Sequence, residues 1–385
     1  MSGRDRPRLV CVGPAWADAG EHWCERLGRA LGDALDGGHL LDVAHVGSTA
    51  VPGLLAKPTI DLLARVHPWP LPADADARLA RLGFVHRGEH GLPGRTYYTR
   101  GPHEIHLHVV GRGSGHWHRH VALRDHLRAS AEARARYERV KHAGLARAQD
   151  VPADREARAA YQDAKAGVIA ALEAEALASA LARTGFGPVV ELARALADVP
   201  MRWAVHGGWA LDLATGGPSR HHDDADVAVD VVDGPALLDA LTQRGARVAW
   251  VIAGEPAAYV PRAVGEAHPA GGHQAHARWG ETWVDVVLEP WSDAAWRYRR
   301  DPRVTLPLER AIRRVAVEGV TVPVLAPEAV LLFKATTGGR RAPRPKDEAD
   351  LARVLPALDA DARAWLRSSL PDGHPWRERL AATAS

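Results

Sequence analysis

The feature that most constrains this chain is the segment 205–229, where a Gly-Gly pair precedes two carboxylates and a short apolar strand. Gly207 and Gly208 open a predicted helix, and Asp224 and Asp226 stand one residue apart at the start of the strand. Because side chains alternate along a strand, both carboxylates point to the same side. Two carboxylates facing one point repel each other unless a cation lies between them, and Mg²⁺ held by carboxylates and substrate phosphates is usual at phosphoryl-transfer sites. The segment therefore predicts Mg²⁺ and nucleotidyl transfer.

Length and composition are those of a soluble two-domain protein. The chain has 385 residues, of which 46% are hydrophobic and 25% charged, enough for two separate cores. Its net charge of +2 argues against a nucleic-acid or anionic-membrane partner. Cys11 and Cys24 give no disulfide framework, and no secretory segment or apolar run of about 18 residues is found. We expect a cytoplasmic protein with no nucleic-acid or membrane partner; the oligomeric state stays open.

Hydrophobic periodicity predicts two successive α/β series that meet near residues 175–187. In the first series the pattern predicts helices at 16–35, 120–145 and 153–181, a helix end entering a strand at 79–86, and strands at 41–46, 59–66, 96–100 and 104–110. In the second it predicts helices at 189–197, 209–214, 235–244, 307–314, 327–336 and 347–356, and strands at 202–205, 225–231, 247–252, 275–279 and 282–288. Both series place a Gly-Ser or Gly-Gly turn ahead of an acidic strand. This parallel favours two versions of one α+β fold, with domains at 1–178 and 185–375.

The second half contains candidates for the further parts that nucleotidyl transfer needs. Asp285 lies in an otherwise apolar strand, where an unpaired carboxylate is costly, and it could bridge a second metal or act as general base. Gly207 and Gly208 let backbone N–H groups approach a triphosphate at a helix N-terminus. The cations spaced to neutralise a pyrophosphate leaving group are Arg220, Lys334 and Lys346.

The order Gly207-Gly208-Trp209-Ala210-Leu211-Asp212, then Arg220-x-His222-x-Asp224-x-Asp226, resembles the aminoglycoside and lincosamide adenylyltransferases of the nucleotidyltransferase (polymerase β-like) superfamily. Residues 332–335 and 344–351 match that pattern too, so the resemblance covers about 185–370. It implies Mg²⁺, a nucleoside triphosphate, and transfer of NMP, foremost AMP from ATP, to a hydroxyl of a small molecule. An aminoglycoside-type antibiotic is one such acceptor, which would make the protein a resistance enzyme.

The resemblance also implies roles for individual residues. By this resemblance Asp224 and Asp226 are metal ligands, and Asp285 is the third carboxylate of the site. It places Lys334 and Lys346 on phosphate, and His222 is expected to orient the aspartate loop. Two alternatives remain beside small-molecule transfer: an enzyme that adenylylates a protein hydroxyl, and a nucleotide-binding regulatory protein without turnover.

In the first half, the string 45–62 (HVGSTAVPGLLAKPTIDL) closely resembles the GrpB family, whose function is uncertain. Supporting matches at 104–109 and 123–128, with a helical tail that holds Tyr137 to Lys141 and Tyr161 to Lys165, extend the resemblance over about 8–172. That family also looks like a nucleotidyltransferase fold. The resemblance places Gly47-Ser48 in the phosphate-loop position and Asp61 on the following strand. We therefore predict an α+β protein of two tandem nucleotidyltransferase-like domains, each a small mixed sheet flanked by helices.

The candidate site of the first half is incomplete as a metal site, because Leu63 stands where the partner of Asp61 is wanted. Its candidate residues are His45, Gly47, Ser48, Lys57, Asp61, His106, His108 and Arg124. His106 and His108 share one strand face and could bind a metal or a phosphate, or simply hydrogen-bond the neighbouring loop. Lys57 and Arg124 could hold a nucleotide phosphate without catalysis. We expect a nucleotide- or phosphate-binding domain.

The segment 116–120 (HWHRH) is rich in histidine. It has no cysteine or fourth ligand at zinc spacing, so we expect a solvated loop rather than a zinc site.

Overall fold

The computed structural model describes residues 9–101, 104–149, 154–252, 258–269, 272–336 and 343–381. The chain forms two compact units, Met1–Arg183 and Thr184–Ser385. Within the described ranges, no helix is both long and apolar enough to cross a membrane.

The N-terminal unit is a five-stranded mixed sheet with flanking helices. Its strands are β1 Val10–Cys11, β2 Leu40–Val46, β3 Leu55–Ala56, β4 Ile60–Val66, β5 Phe84–His86, β6 Arg95–Arg100 and β7 Ile105–Gly111. Its helices are α1 Pro14–Leu31, α2 Ala73–Arg81, α3 Gly115–Ala129, α4 Ala131–Gln149 and α5 Asp154–Thr184. The sheet order is β2-β4-β7-β6-β5, and β1 pairs separately with β3. Strands β4 and β7 run parallel, whereas the other neighbours in this sheet run antiparallel.

Helix α1 covers one face of this sheet because its apolar residues recur at helical spacing. Trp23, Leu27 and Leu31 are buried on that face, in one cluster with Leu62 and Leu107 of the central strands. Pro at the first turn and a glycine with positive φ at the C-cap bound the helix. This buried face holds α1 against the sheet.

The C-terminal unit has a larger sheet of eight strands. Its strands are β8 Trp203–Val205, β9 Ala225–Asp230, β10 Arg247–Ile252, β11 Ala258–Pro261, β12 Gln274–Trp279, β13 Thr282–Glu289, β14 Ala295–Arg297, β15 Thr305–Pro307, β16 Ile312–Val317 and β17 Val320–Leu325. Its helices are α6 Gly187–Ala195, α7 Gly207–Thr215, α8 Gly234–Gln243, α9 Leu308–Ala311, α10 Pro327–Ala335, α11 Pro345–Val354, α12 Ala360–Ser369 and α13 Trp376–Ala381. The order is β11-β10-β12-β13-β9-β8-β17-β16, with β14 and β15 paired apart.

The two sheets share a five-strand core. In the order β8-β9-β13-β12-β10, the second sheet repeats the order and strand directions of β2-β4-β7-β6-β5. In both, the second and third strands of this order are parallel and carry the candidate site. The predicted α+β class, with a mixed sheet and flanking helices in each half, is therefore confirmed.

Three predictions about local structure are wrong. The helix predicted at 307–314 is only the short α9, after which β16 and β17 form a hairpin through Glu318 and Gly319, both at positive φ. The histidine-rich segment 116–120 is not a loop but the first turns of α3, where the Ser114 hydroxyl accepts from the His116 N–H. The single helix predicted at 120–145 is divided at Ser130, whose hydroxyl accepts from the Ala133 N–H and starts α4.

Candidate active site

The candidate site of the C-terminal unit gathers three carboxylates. Asp224 precedes β9, Asp226 lies in β9, and Asp285 lies opposite Asp226 as its register partner in parallel β13. One oxygen atom from each of the three lies within 4.8 Å of the others. Asp224 and Asp226 are half-buried and Asp285 is buried. Hard oxygen donors gathered in this way fit a divalent cation such as Mg²⁺. Among the residues that the structure describes, this is the one group of three side chains able to hold a metal.

The Gly-Gly pair brings backbone against this carboxylate cluster. Gly207 has φ +65°, and a Cβ there would lie 1.8 Å from Oδ2 of Asp226. At Gly208 a Cβ would lie 2.2 Å from Cε1 of His222. The backbone N–H of His206 donates to the Asp226 carbonyl at 2.8 Å, which ties the start of α7 to β9. Both positions therefore require glycine, because a Cβ at either one would overlap the Asp226 or His222 side chain.

Two neighbours on β12 hold the buried Asp285. The side-chain amide of Gln274 donates to both carboxylate oxygens at 2.7 Å. The Nε2 atom of His276 lies 3.2 Å from Oδ1. Neither Gln274 nor His276 was predicted from the sequence as a site residue. Their signal is alternation, since Gln274, His276 and Arg278 alternate with apolar residues in β12 and so share one face.

His222 anchors the loop that carries Asp224. Its Nε2 atom lies 2.7 Å from Oδ2 of fully buried Asp212, and its ring lies 4.5 Å from that of Trp209. Arg353 and Ser219 also bind Asp212, at 2.6 and 2.7 Å. Burial lowers the pKa of the His222 imidazole. The orienting role of His222 stays a prediction, and these contacts are in its favour; no role had been predicted for Asp212 and Arg353.

The predicted phosphate-binding cations form one cluster, in which the chain's own carboxylates take part. The Lys334 ammonium lies 2.7 Å from Oδ2 of Asp350 and 3.7 Å from Oδ1 of Asp347. Arg220 lies 3.5 Å from the same Asp350 oxygen. Burial, then the charges of Arg344, Arg220 and Lys334, lowers the pKa of Lys346. Lys334 therefore forms an ion pair with Asp350 of its own chain, which was not predicted from the sequence.

The N-terminal unit repeats part of this arrangement. Gly47 has φ +71°, and a Cβ there would lie 2.5 Å from Oδ2 of Asp61. The register partner of Asp61 on β7 is His106, whose Nδ1 lies 3.2 Å from Oδ1 of the carboxylate. Asp61 thus corresponds to Asp226 by strand and register, and His106 stands where the other unit has an aspartate.

Other predicted residues of this half have different partners. His108 lies 3.0 Å from Arg95, and burial lowers its pKa to about 3. Arg124 binds the Asp125 carboxylate at 2.7 Å and the His45 carbonyl at 3.1 Å. Within the described ranges, no third carboxylate, histidine or cysteine completes a metal group at Asp61.

The last three predicted residues are His45 near the end of β2, and Ser48 and Lys57 in the segment that leads from β2 to β4. The His45 ring meets the Thr49 hydroxyl at 3.1 Å, and burial lowers the pKa of this histidine to about 4. Lys57 lies over the Tyr161 ring, and Ser48 contacts Tyr137 and Lys141.

Comparison with known proteins matches both units. Residues 6–175 match the family model of the GrpB protein, and residues 188–354 match that of aminoglycoside-2''-adenylyltransferase. A UPF0157 protein of Streptomyces coelicolor is 36% identical over 187 residues, which are 46% of this chain and 95% of that protein.

Solved structures also resemble each half. The crystal structure of GrpB from Enterococcus faecalis is 29% identical with a TM-score of 0.39, covering 44% of this chain and 96% of that one. The solution structure of the antibiotic-resistance factor ANT(2'')-Ia is 19% identical with a TM-score of 0.35, covering 51% and 92%. The chain therefore belongs to the GrpB (UPF0157) family through its N-terminal unit, and to that unit it joins a second that is similar to the aminoglycoside adenylyltransferases.

Proposed function

We propose that the C-terminal unit is a Mg²⁺-dependent nucleotidyltransferase that moves AMP from ATP to a hydroxyl of a small molecule of the aminoglycoside type. The observation that carries the proposal is the convergence of Asp224, Asp226 and Asp285, with one oxygen from each inside 4.8 Å. The match of residues 188–354 to an aminoglycoside adenylyltransferase model supports the acceptor class.

Asp224, Asp226 and Asp285 would hold the metal, which when bound neutralises charge on the phosphates. The glycines that open α7 bring the backbone of the helix N-terminus against Asp226 and His222, and its N–H groups there would donate to the triphosphate. The guanidinium of Arg220 and the ammonium groups of Lys334 and Lys346 offset the charge that builds on the leaving group.

In the proposed step the acceptor oxygen attacks the α-phosphorus of ATP in line. A new oxygen–phosphorus bond forms, the bond from the α-phosphorus to the bridging oxygen breaks, and pyrophosphate leaves with its electron pair. The hydroxyl proton moves to Asp285, whose carboxylate is held in place by Gln274 and His276. The products are an AMP ester of the acceptor and pyrophosphate.

The test is to incubate the protein with ATP, Mg²⁺ and an aminoglycoside, and to examine the antibiotic by mass spectrometry. The proposal predicts addition of one AMP to the antibiotic with the wild-type chain and none with Asp226→Asn. An unmodified antibiotic, with the mass increase found instead on a protein, would contradict the small-molecule acceptor. Equal modification by Asp226→Asn would contradict the site.

A further inference from the structure

The distribution of lysine in this chain is uneven. Only five of its 49 basic residues are lysine, and the other 44 are arginine. Two of the five, Lys334 and Lys346, belong to the cation cluster of the C-terminal unit. The remaining three are Lys57, Lys141 and Lys165, all in the N-terminal unit. Lysine carries a compact charge with three donors that arginine's planar fork does not reproduce. A chain that uses arginine almost everywhere else therefore has lysine at these points for a local reason.

Lys141 is buried against the turn that follows β2. Its side chain is 2% exposed, and its ammonium donates to the Ser48 hydroxyl at 2.6 Å and to the Leu55 carbonyl at 2.5 Å. The Tyr137 hydroxyl lies 3.2 Å from the same Ser48 oxygen. This places one positive charge directly beside Gly47-Ser48, the turn that packs on Asp61.

Lys57 and Lys165 meet at a second tyrosine. Each ammonium lies 4.5 Å from the centroid of the Tyr161 ring. The pKa of Lys141 is lowered to about 7, first by burial and then by the charge of Lys165. The charge of Lys57 makes a smaller contribution in the same direction. Burial and the charge of Lys57 lower the pKa of Lys165 to about 8. The three ammonium groups, from a loop and two helices, are therefore close enough for their charges to repel each other.

Two nearby carboxylates act against this repulsion. Asp61 favours the charged form of both Lys141 and Lys165, and Glu138 favours that of Lys141. Glu138 also accepts the Leu55 N–H at 3.1 Å, and Asp61 lies against His106. An anion with several charges would stabilise the charged form of these lysines, and phosphate chains carry that charge in a form that ammonium groups bind well.

The N-terminal unit differs from the other site in its carboxylates. His106 stands at the position that Asp285 occupies in the other unit, and Thr59 lies two residues before Asp61 where the other unit has Asp224. The arrangement therefore keeps groups suited to phosphate and lacks two of the three carboxylates of the other site.

We propose that the N-terminal unit binds a polyphosphate group at Lys57, Lys141 and Lys165, beside the Gly47-Ser48 turn. The group belongs to an inorganic phosphate chain or to the di- or triphosphate of a nucleotide. This site is separate from the proposed transferase site and does not depend on the transfer reaction.

The test uses the full chain and calorimetric titration with inorganic tripolyphosphate in the presence of EDTA, which removes the divalent metal that the other site needs. Lys57→Gln and Lys165→Gln remove one charge each from half-buried side chains. Each is expected to weaken binding at least about tenfold, since a charge-assisted contact contributes roughly that much. Arg139→Gln removes an equal charge from an exposed position on α4 and is expected to bind as wild type does.

Asp226→Asn is titrated in parallel and is expected to bind tripolyphosphate normally, while the two lysine variants are expected to keep any wild-type AMP transfer. These controls separate failure of this site from failure of the transferase. Absence of binding to the wild-type chain, unchanged binding in both lysine variants, an equal loss in Arg139→Gln, or a loss confined to Asp226→Asn would each overturn the proposal.

Titration with ATP under the same conditions distinguishes the two sources of the group. Binding of ATP about tenfold tighter than tripolyphosphate, and weakened by Lys165→Gln, supports the proposal and identifies a nucleotide. Equal affinities, both weakened by Lys165→Gln, support it and identify the phosphate chain alone. ATP binding that Lys165→Gln leaves unchanged, alongside unchanged tripolyphosphate binding, contradicts it.

Discussion

Asp226 and Asp285 are register partners on adjacent parallel strands, so their carboxylates stand side by side on the same sheet. Parallel pairing gives both side chains the same orientation, and the backbone at Gly207 lies directly against one of them. Two carboxylates held this close are costly without a cation, because each repels the charge of the other. The predictions below follow from this relationship and from the groups that support it.

Replacing Asp226 by Asn is expected to lower AMP transfer by at least about a thousand-fold, since one ligand of the metal and its charge are lost. The fold should remain, because the side chain keeps its size and loses a repulsive charge. The measurement is turnover in a pyrophosphate-release assay together with the thermal midpoint. A folded Asp226→Asn protein with a near wild-type rate would contradict the assignment.

Substituting Gly207 by Ala is expected to abolish transfer, because the new Cβ would collide with Oδ2 of Asp226 at 1.8 Å. Gly216 is the matched control: it also has positive φ, +81°, but nothing lies within 4 Å of a Cβ there. Gly216→Ala should cost about 1 kcal/mol of stability from backbone strain alone and leave the rate intact. Equal losses of rate in the two variants would show that strain rather than the collision matters.

Gln274 is a positioning residue for Asp285 in this account. Changing it to Ala is expected to lower kcat about 10- to 100-fold, because the carboxylate loses the amide that holds both of its oxygens. The KM for ATP should stay within about twofold, since Gln274 has no proposed contact with the nucleotide. Glu281→Gln, at an exposed residue before β13, is the control and should behave as wild type. A change in KM without a change in kcat would contradict the positioning role.

The stability of the C-terminal unit is expected to fall as pH rises towards neutrality. Burial raises the pKa of Glu289 to about 7, so the folded unit keeps this carboxyl protonated where the unfolded chain, near 4.5, has lost the proton. The stabilisation from the protonated carboxyl is fully present below pH 4.5, and it is lost as the pH rises through the folded pKa of about 7. Its size is on the order of 3 kcal/mol. Glu289→Gln should reduce this slope in urea unfolding between about pH 5 and about pH 7.5. An unchanged slope would contradict it.

Part of this site was accessible from sequence, for physical reasons that particular residues illustrate. Asp285 was identified because a charged side chain in an apolar strand needs a partner, and the strand order then brought it to Asp226. Gln274 and His276 were missed because a pair of polar side chains in a strand has ordinary surface explanations. Their importance comes from the pairing of β12 with β13, which no local pattern contains.

The fold shows the same division between local and long-range information. The parallel between the two halves was visible in the Gly-Ser and Gly-Gly turns, and the shared strand order extends it. The β16–β17 hairpin was missed because 307–314 carries a helical pattern, whereas pairing between strands decided the outcome. Lys141 and Lys165 were named only as part of the helical tail that resembles the GrpB family and were given no binding role, because lysine on a helix is usually solvated. Only the folding of two helices onto the loop at Ser48 brings them together.

The most direct test of the central claim is pyrophosphate release from ATP and Mg²⁺ over a panel of aminoglycosides, with wild type, Asp224→Asn and Asp226→Asn compared. The account predicts release that depends on the acceptor in the wild type, stops on chelation of the metal, and is absent in both variants. Release that continues in the folded variants, or no release with any acceptor despite ATP binding, would contradict it.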